Sequence, residues 1–282
     1  MALTINTNLT SMLVQRNMNA STSALNLAIQ RMTTGYRINS AKDDAAGMAV
    51  SIKLDTQLGA YDVASQNVQM GSALLTTLEE NDNLVLGHMQ RIRDLAEQAA
   101  NGVYDSSSTS AIAAEIDARI AEIDRLSGSV EFNGIKLLDG SVSSLNVQVG
   151  INGTGNDAID VGGAMGSITS TALLTGSYDS GAEIIAAVTG ANKAAAFTQL
   201  DTGISTLKTK ITAIGSYQNR LDSAAESIEV ARSNISSALS TVRDADVSTE
   251  SSNYIKAQIL QQASAALLTT ANQSPSIALN LI

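Results

Sequence analysis

The sequence predicts a mainly α fold: a long antiparallel heptad-patterned helical rod with terminal coiled-coil helices and a small β-hairpin region in the middle of the chain. Three observations carry this. The 282 residues include one Pro and 3% aromatics against 44% hydrophobic residues. The apolar content is therefore Ala, Leu, Ile, Val and Met, which suits long helices better than a β-sandwich. Two long stretches repeat their apolar residues every 3.5 positions, and the turn dipeptides and a change of period fall between them.

Taken in order, Leu9, Met12 and Leu13 share one face of a first helix, and Leu25, Ile29 and Met32 share another. Asp43 and Asp44 read as first-turn acids of a helix that begins after Ser40, complementing its dipole. The first stripe steps by three and four through Tyr61, Ala64, Val68, Gly71, Leu75, Leu78, Asp82, Val85, Met89, Ile92, Ala96 and Ala99, broken only by Gly71 and Asp82. A stripe of this period means helices packed side by side in a left-handed coil. At about 1.5 Å per residue it is roughly 58 Å long. Asn101-Gly102 ends that helix, and Tyr104 to Ser110 supply a loop and cap candidates. A shorter helix fits 110–128, with Ile112, Ile116, Ile120 and Ile123 on one face.

From Gly128 to Gly163 the period changes. Asn133-Gly134 and Asp139-Gly140 are turn signals. Leu145, Val147, Val149 and Ile151 alternate with polar residues or glycine as a half-buried strand, and Ile159 to Val161 suggest a second. Residues 165–195 are rich in Ser, Thr, Gly and Ala and show no clear period beyond a short helix at 181–188. The second stripe runs through Ile204, Leu207, Ile211, Ile214, Gln218, Leu221, Ala225, Ile228, Arg232, Ile235, Leu239 and Val242, broken only by Gln218 and Arg232. These two are expected to bond acids on the partner helix and set register. In the last helix Ile255, Ile259, Ala263 and Ala266 share a face flanked by Leu260 and Leu267, and Pro275 is expected to end or kink it. The domains expected are 1–42 with 243–282, a terminal coiled coil, and 43–242, a rod-like helical domain. The latter holds a β-rich segment at about 129–165 and a short variable region at about 151–195.

The net charge of −10 is uneven. Residues 1–42 carry four basic side chains and no acid, whereas 43–242 carry 11 basic and 24 acidic ones. An acidic bulk argues against a nucleic-acid partner. Residues 1–15 and 257–282 contain no charged side chain at all. A solvated tail is normally charged, so these ends read as segments to be covered. The N-terminus lacks the basic and apolar regions of a secretory signal, and the polar interruptions of the C-terminal run make it a poor membrane span, so no membrane partner is expected.

Catalysis finds little support. With no Cys and one His, thiolate and His-pair metal sites are excluded. His88 reads as a helix-surface residue, Asp43 and Asp44 do not converge, and the glycines of 150–166 lack the strand and helix of a nucleotide loop. No catalytic, cofactor-binding or metal residue is expected. Assembly finds more. Apolar helix faces that one chain cannot cover are stabilised when copies cover them, and head-to-tail contacts that do not close give a helical filament. The residues expected to make those contacts are Leu9, Leu13, Leu25, Ile29, Ile255, Ile259, Leu260, Ala263 and Leu267. The ends are expected to be mobile in a free monomer and helical in the polymer. The bland reading is a self-contained rod whose ends pair within one molecule.

Several long motifs in fixed order resemble bacterial flagellin. They are Gln15-Arg16-Asn17, the run from Ala28 through Arg31-Met32-Thr33-Thr34-Gly35-Tyr36-Arg37-Ile38-Asn39-Ser40 to Gly47, and Gln90-Arg91-Ile92-Arg93-Asp94-Leu95-Ala96-Glu97-Gln98-Ala99-Ala100-Asn101-Gly102. Glu122 to Arg125, Phe132-Asn133-Gly134, Gln218 to Leu221, Arg243-Asp244-Ala245-Asp246 and Ala271 to Pro275 follow in order. The resemblance covers about 1–151 and 195–282 and implies a minimal flagellin of the conserved inner domains. It departs mildly at Met32 to Tyr36 and at Ser240 to Val242. It implies a structural subunit that polymerises with itself into the extracellular flagellar filament used for swimming, its terminal helices forming the inner tube and its long helices the outer shell. It further implies export without a cleaved signal through a type III apparatus, an export chaperone at the C-terminal helix, and hook-associated and cap proteins as partners. A patch sensed by an animal Toll-like receptor would comprise Gln90, Arg91, Leu95 and Glu115, and a stretch sensed by plants would span about 30–44. The alternatives are a hook-filament junction protein and, from another class, an exported membrane-active translocator.

Overall fold

The computed structural model describes residues 7–174 and 178–279. Its elements are α1 (Leu9–Thr34), α2 (Ala45–Ala99), α3 (Ser106–Ser129), β1 (Glu131–Phe132), β2 (Ile135–Lys136), β3 (Asn146–Gln148), β4 (Ala158–Asp160), α4 (Ser170–Leu173), α5 (Gly181–Thr189), α6 (Lys193–Arg243) and α7 (Val247–Leu279). The described residues fall into two compact units, one formed up to Leu58 and from Ser233 onward, the other by Gly59–Arg232.

In the unit of 59–232, both stripes face inward. Ala64, Val68, Leu75, Leu78, Val85, Met89, Ile92, Ala96 and Ala99 of α2 are buried, as are Ile204, Leu207, Ile214, Leu221 and Ile228 of α6. Three polar contacts set α2 and α6 antiparallel, since they climb one helix as they descend the other. Asp62 accepts from Arg232 at 2.7 Å, Glu79 from Gln218 at 2.8 Å, and Asp201 from Arg93 at 2.7 Å. Gln218 and Arg232 thus bond acids on α2, as their places in the stripe suggest. Gly71 interrupts the α2 stripe for a steric reason: a Cβ there would stand 3.0 Å from both methyls of Val147 and 3.3 Å from Leu221.

The α3 helix buries Ile112, Ile116, Ile120 and Ile123, and Asp105 caps it by accepting from the Ser108 N–H at 2.8 Å. β1 and β2 form a two-residue hairpin in which Asn133 and Gly134 both take positive φ, 51° and 78°. That is the turn whose twist matches antiparallel strands. The strand expected over 145–151 is shorter. β3 pairs with β4 through Val147 opposite Ile159, and pairing stops where the chain turns back at Gly150, packed against the Asp157 side chain. Residues within 151–195, the expected short variable region, contribute core. Ile159, Val161, Ala164, Met165, Ile168, Leu173, Leu174, Ile184, Ala187 and Val188 are all buried. Small residues permit this, since the Gly162 and Gly181 backbones lie directly against Ser143–Ser144 and the Ala113 carbonyl.

In the other unit, α1 and α7 pack together. Asn8 caps α1, and Gly35, at φ 73°, ends it. Asp43 and Asp44 are not first-turn acids, because α2 starts at Ala45. Asp43 instead closes the turn before it, accepting from the Ser40 N–H at 2.9 Å and from the Ser40 hydroxyl. Asp44 accepts from the Gly47 N–H at 2.9 Å and so caps α2. The links before α2 and α7 bond to each other. The Arg37 N–H donates to the Arg243 carbonyl, the Ala245 N–H to the Gly35 carbonyl, and the Arg243 guanidinium lies 4.1 Å from the Tyr36 ring. Asp246 caps α7 through the Ser248 N–H at 2.8 Å. Pro275 does not end α7, which continues to Leu279.

Candidate assembly surface

Chain burial sorts each terminal helix into two faces. Along α1, Ser11, Val14, Met18, Ser21, Leu25 and Ala28 are the least exposed positions, and along α7 Glu250, Tyr254, Ala257, Gln261, Ser264, Leu268 and Ala271. Both series step by three and four, the spacing of a coiled-coil seam. Small and polar residues alternate in it with Val14, Met18, Leu25, Tyr254 and Leu268, so the helices are held by specific bonds as well as by apolar packing. Arg31 meets Glu250 at 2.9 Å, Gln261 donates to the Thr22 hydroxyl at 3.1 Å, and Asn8 donates to the Ala271 carbonyl at 2.7 Å. Ser11 donates to the Asn272 side-chain oxygen at 2.7 Å. Glu250 is only 7% exposed and its pairing with Arg31 satisfies it.

Most of the large apolar residues of the two helices lie off this seam. Leu9, Met12, Leu13, Ile29 and Met32 of α1 are exposed, as are Val247, Ile255, Ile259, Leu260 and Leu267 of α7, with Ile259 at 59%. Ala263 is exposed and Leu25 half-buried in the seam. The α7 face of Ile255, Ile259, Ala263 and Ala266 is therefore left uncovered by α1. The covered stripe is the neighbouring one, Ala257, Ser264 and Ala271. Sequence reasoning passed over this stripe because its residues are small and polar. The heptad spacing of Ala257, Gln261, Ser264, Leu268 and Ala271 was the signal that could have found it. A face of this size left to water on two adjoining helices marks an interaction surface.

On the second unit, Gln90 and Arg91 are exposed and Glu115 partly so. Arg91 binds Glu115 through both Nε and Nη2 at 3.1 Å, joining α2 to α3, and Arg119 stands 3.6 Å from the same carboxylate. Leu95 does not share this surface. It is 2% exposed and belongs to the core, because it adjoins the stripe residues Ile92 and Ala96 on the inward side of α2. His88 is partly exposed on α2.

Residues 5–143 match the bacterial flagellin N-terminal helical region and residues 197–282 the bacterial flagellin C-terminal helical region. The chain is 33% identical over 289 aligned positions to flagellin FlaB2 of Treponema pallidum, covering 99% of both chains. It is 34% identical to a flagellin of Halalkalibacterium halodurans, again over 99% of each. Among solved structures, a chain described as a flagellar hook-associated protein from Vibrio parahaemolyticus superposes with a TM-score of 0.59 at 16% identity. The match covers 72% of this chain and 100% of that one, a likeness of fold alone.

Proposed function

The chain belongs to the bacterial flagellin family and is a structural subunit of the flagellar filament, and from that premise we propose that α1 and α7, the terminal domain of 1–42 with 243–282, form the filament's inner tube. The observation that carries this is the row of exposed Ile, Leu and Met on helices whose seam is already occupied. Covering one such side chain contributes roughly 1.5–3 kcal/mol. Only further copies of the chain supply the matching helices in a regular array. The contacts fall to Leu9, Leu13, Ile29, Ile255, Ile259, Leu260, Ala263 and Leu267, with Leu25 bracing the seam behind them. Electron microscopy of the purified chain after seeding tests it: long regular filaments are expected, and amorphous aggregate or persistent monomer would overturn it.

The finer partners follow from the same surfaces. Before assembly, the apolar face of α7 suits an export chaperone that shields it, and the subunit leaves the cell without a cleaved signal. Gln90, Arg91 and Glu115 form the exposed part of a patch for a Toll-like receptor, with Leu95 as its support from below. The role is structural and calls for no catalytic residue. A junction protein and a membrane-active translocator are less favoured, since relatives matching end to end are flagellins and no described helix is long and apolar enough to cross a membrane.

A further inference from the structure

Asp82 is the one charged residue in the α2 stripe, set between Leu78 and Val85, and all three are fully buried. Neither of its carboxylate oxygens has a hydrogen-bond partner among the described residues. The surrounding charges do not relieve it. Lys210 of α6 attracts it, but no ion pair joins the two, and the Lys210 ammonium is turned to the Gly166 carbonyl at 3.0 Å and the Met165 carbonyl at 3.4 Å. On α2 itself Glu79 is bound by Gln218, and on α3 Asp124 is bound by the N–H and hydroxyl of Ser170 at 2.7 and 2.9 Å. An ionised carboxylate without partners in such a place is costly, whereas the neutral acid is a small side chain the seam can hold.

We propose that Asp82 is a proton-operated lock in the α2–α6 seam: protonated, it packs as a core residue; ionised, it loosens the seam and draws Lys210 away from the carbonyls of Met165 and Gly166. The geometry gives both states a place. Gly166, at φ 121°, turns its carbonyl to the lysine, and an added Cβ there would stand 3.2 Å from Nζ, so the lysine lies directly against the 165–166 turn. Burial pushes the Asp82 carboxyl up to about 6, and the Lys210 charge only partly opposes this. The same burial lowers the Lys210 pKa, with Asp82 working against it. Since the folded value lies above the unfolded 3.8, the folded chain holds a proton the unfolded chain has lost. Stability therefore falls as pH rises through this window and levels off above it.

The test is urea unfolding of the full chain and of Asp82→Asn, followed by helical circular dichroism at concentrations that do not sediment, from pH 4.5 to 8. The unfolding equilibrium constant of the wild type, relative to that of Asp82→Asn, is expected to rise on the order of thirtyfold across this range. Lys210→Met is expected to move the transition to higher pH. A ¹³C carboxyl resonance of Asp82 in the unaltered chain reads its protonation directly and decides the matter if a variant does not fold. An ionised Asp82 at pH 4.5, or the same pH slope with Asn at 82, overturns the proposal.

Discussion

Arg232 of α6 reaches across to Asp62 of α2 and donates to its carboxylate at 2.7 Å from a position where the heptad calls for an apolar side chain. The same guanidinium binds Glu229 one turn back at 2.7 Å. The Arg232 and Asp62 side chains keep 34% and 47% of their exposure, so water screens the pair. Such a bridge contributes about 0–1 kcal/mol. Arg232→Leu is expected to change the stability of the monomer by no more than about 1 kcal/mol in either direction, with a similarly small coupling to Asp62→Ala in a double-mutant cycle. The register it helps set is expected to loosen, which filament shape in electron micrographs reads. An unchanged filament would mean that Arg232 only reaches solvent.

Ile259 is 59% exposed on α7, outside the seam with α1. Ile259→Asp should therefore leave the folded monomer intact. In a filament it would bury a charge with no partner, at a cost of several kcal/mol per contact. Helical circular dichroism is expected to match the wild type while pelletable filament disappears. Normal filaments from this variant would remove α7 from the inner layer.

Two glycines separate steric need from helix propensity. The Gly181 N–H donates to Asp117 at 2.7 Å, and a Cβ at 181 would collide with the Ala113 carbonyl of α3, which is backbone and cannot yield. Gly181→Ala is expected to destabilise the chain by about 1–3 kcal/mol. Gly59 lies in α2 with nothing within 4 Å of an added Cβ, so Gly59→Ala is expected to stabilise it by up to about 1 kcal/mol. Urea unfolding of both variants gives the signs.

The caps impose a limit on the acid side. Hydrogen bonds to Ser40, Ser108, Thr154 and Thr249 hold Asp43, Asp105, Asp157 and Asp246 below the usual carboxylate range. A group with a lowered folded pKa lends stability above its unfolded value of 3.8, and that stability is lost as pH falls through the folded value. Asp82 acts with the opposite sign at higher pH. The urea midpoint is thus expected to rise from pH 8 to about 5 and to fall again below about 4. A midpoint that climbs steadily from pH 3 to 8 would contradict the Asp82 assignment, and one that does not fall below pH 4 would contradict that of the caps.

How far these features can be read without the fold depends on whether their cause is local. The stripes of α2 and α6 were legible because a 3.5-residue period reports, along one helix, which side meets a partner, and the breaks at Gln218 and Arg232 were legible for the same reason. The uncharged ends announced a need for cover, and the hairpin at Asn133-Gly134 follows from two residues that tolerate positive φ. What the period of one helix does not encode is the identity of its neighbour. Only the tertiary structure decided that α1 settles on the small stripe of Ala257, Ser264 and Ala271 and leaves Ile255 and Ile259 outside. It also decided that Leu95 lies in the core, that Ile159, Val161, Ile168, Leu173, Ile184 and Val188 pack there from short elements and the turns between them, and that Asp82 finds no hydrogen-bond partner among the described residues. In each case the outcome rests on atoms distant in sequence, whose closeness exists only once the chain has folded.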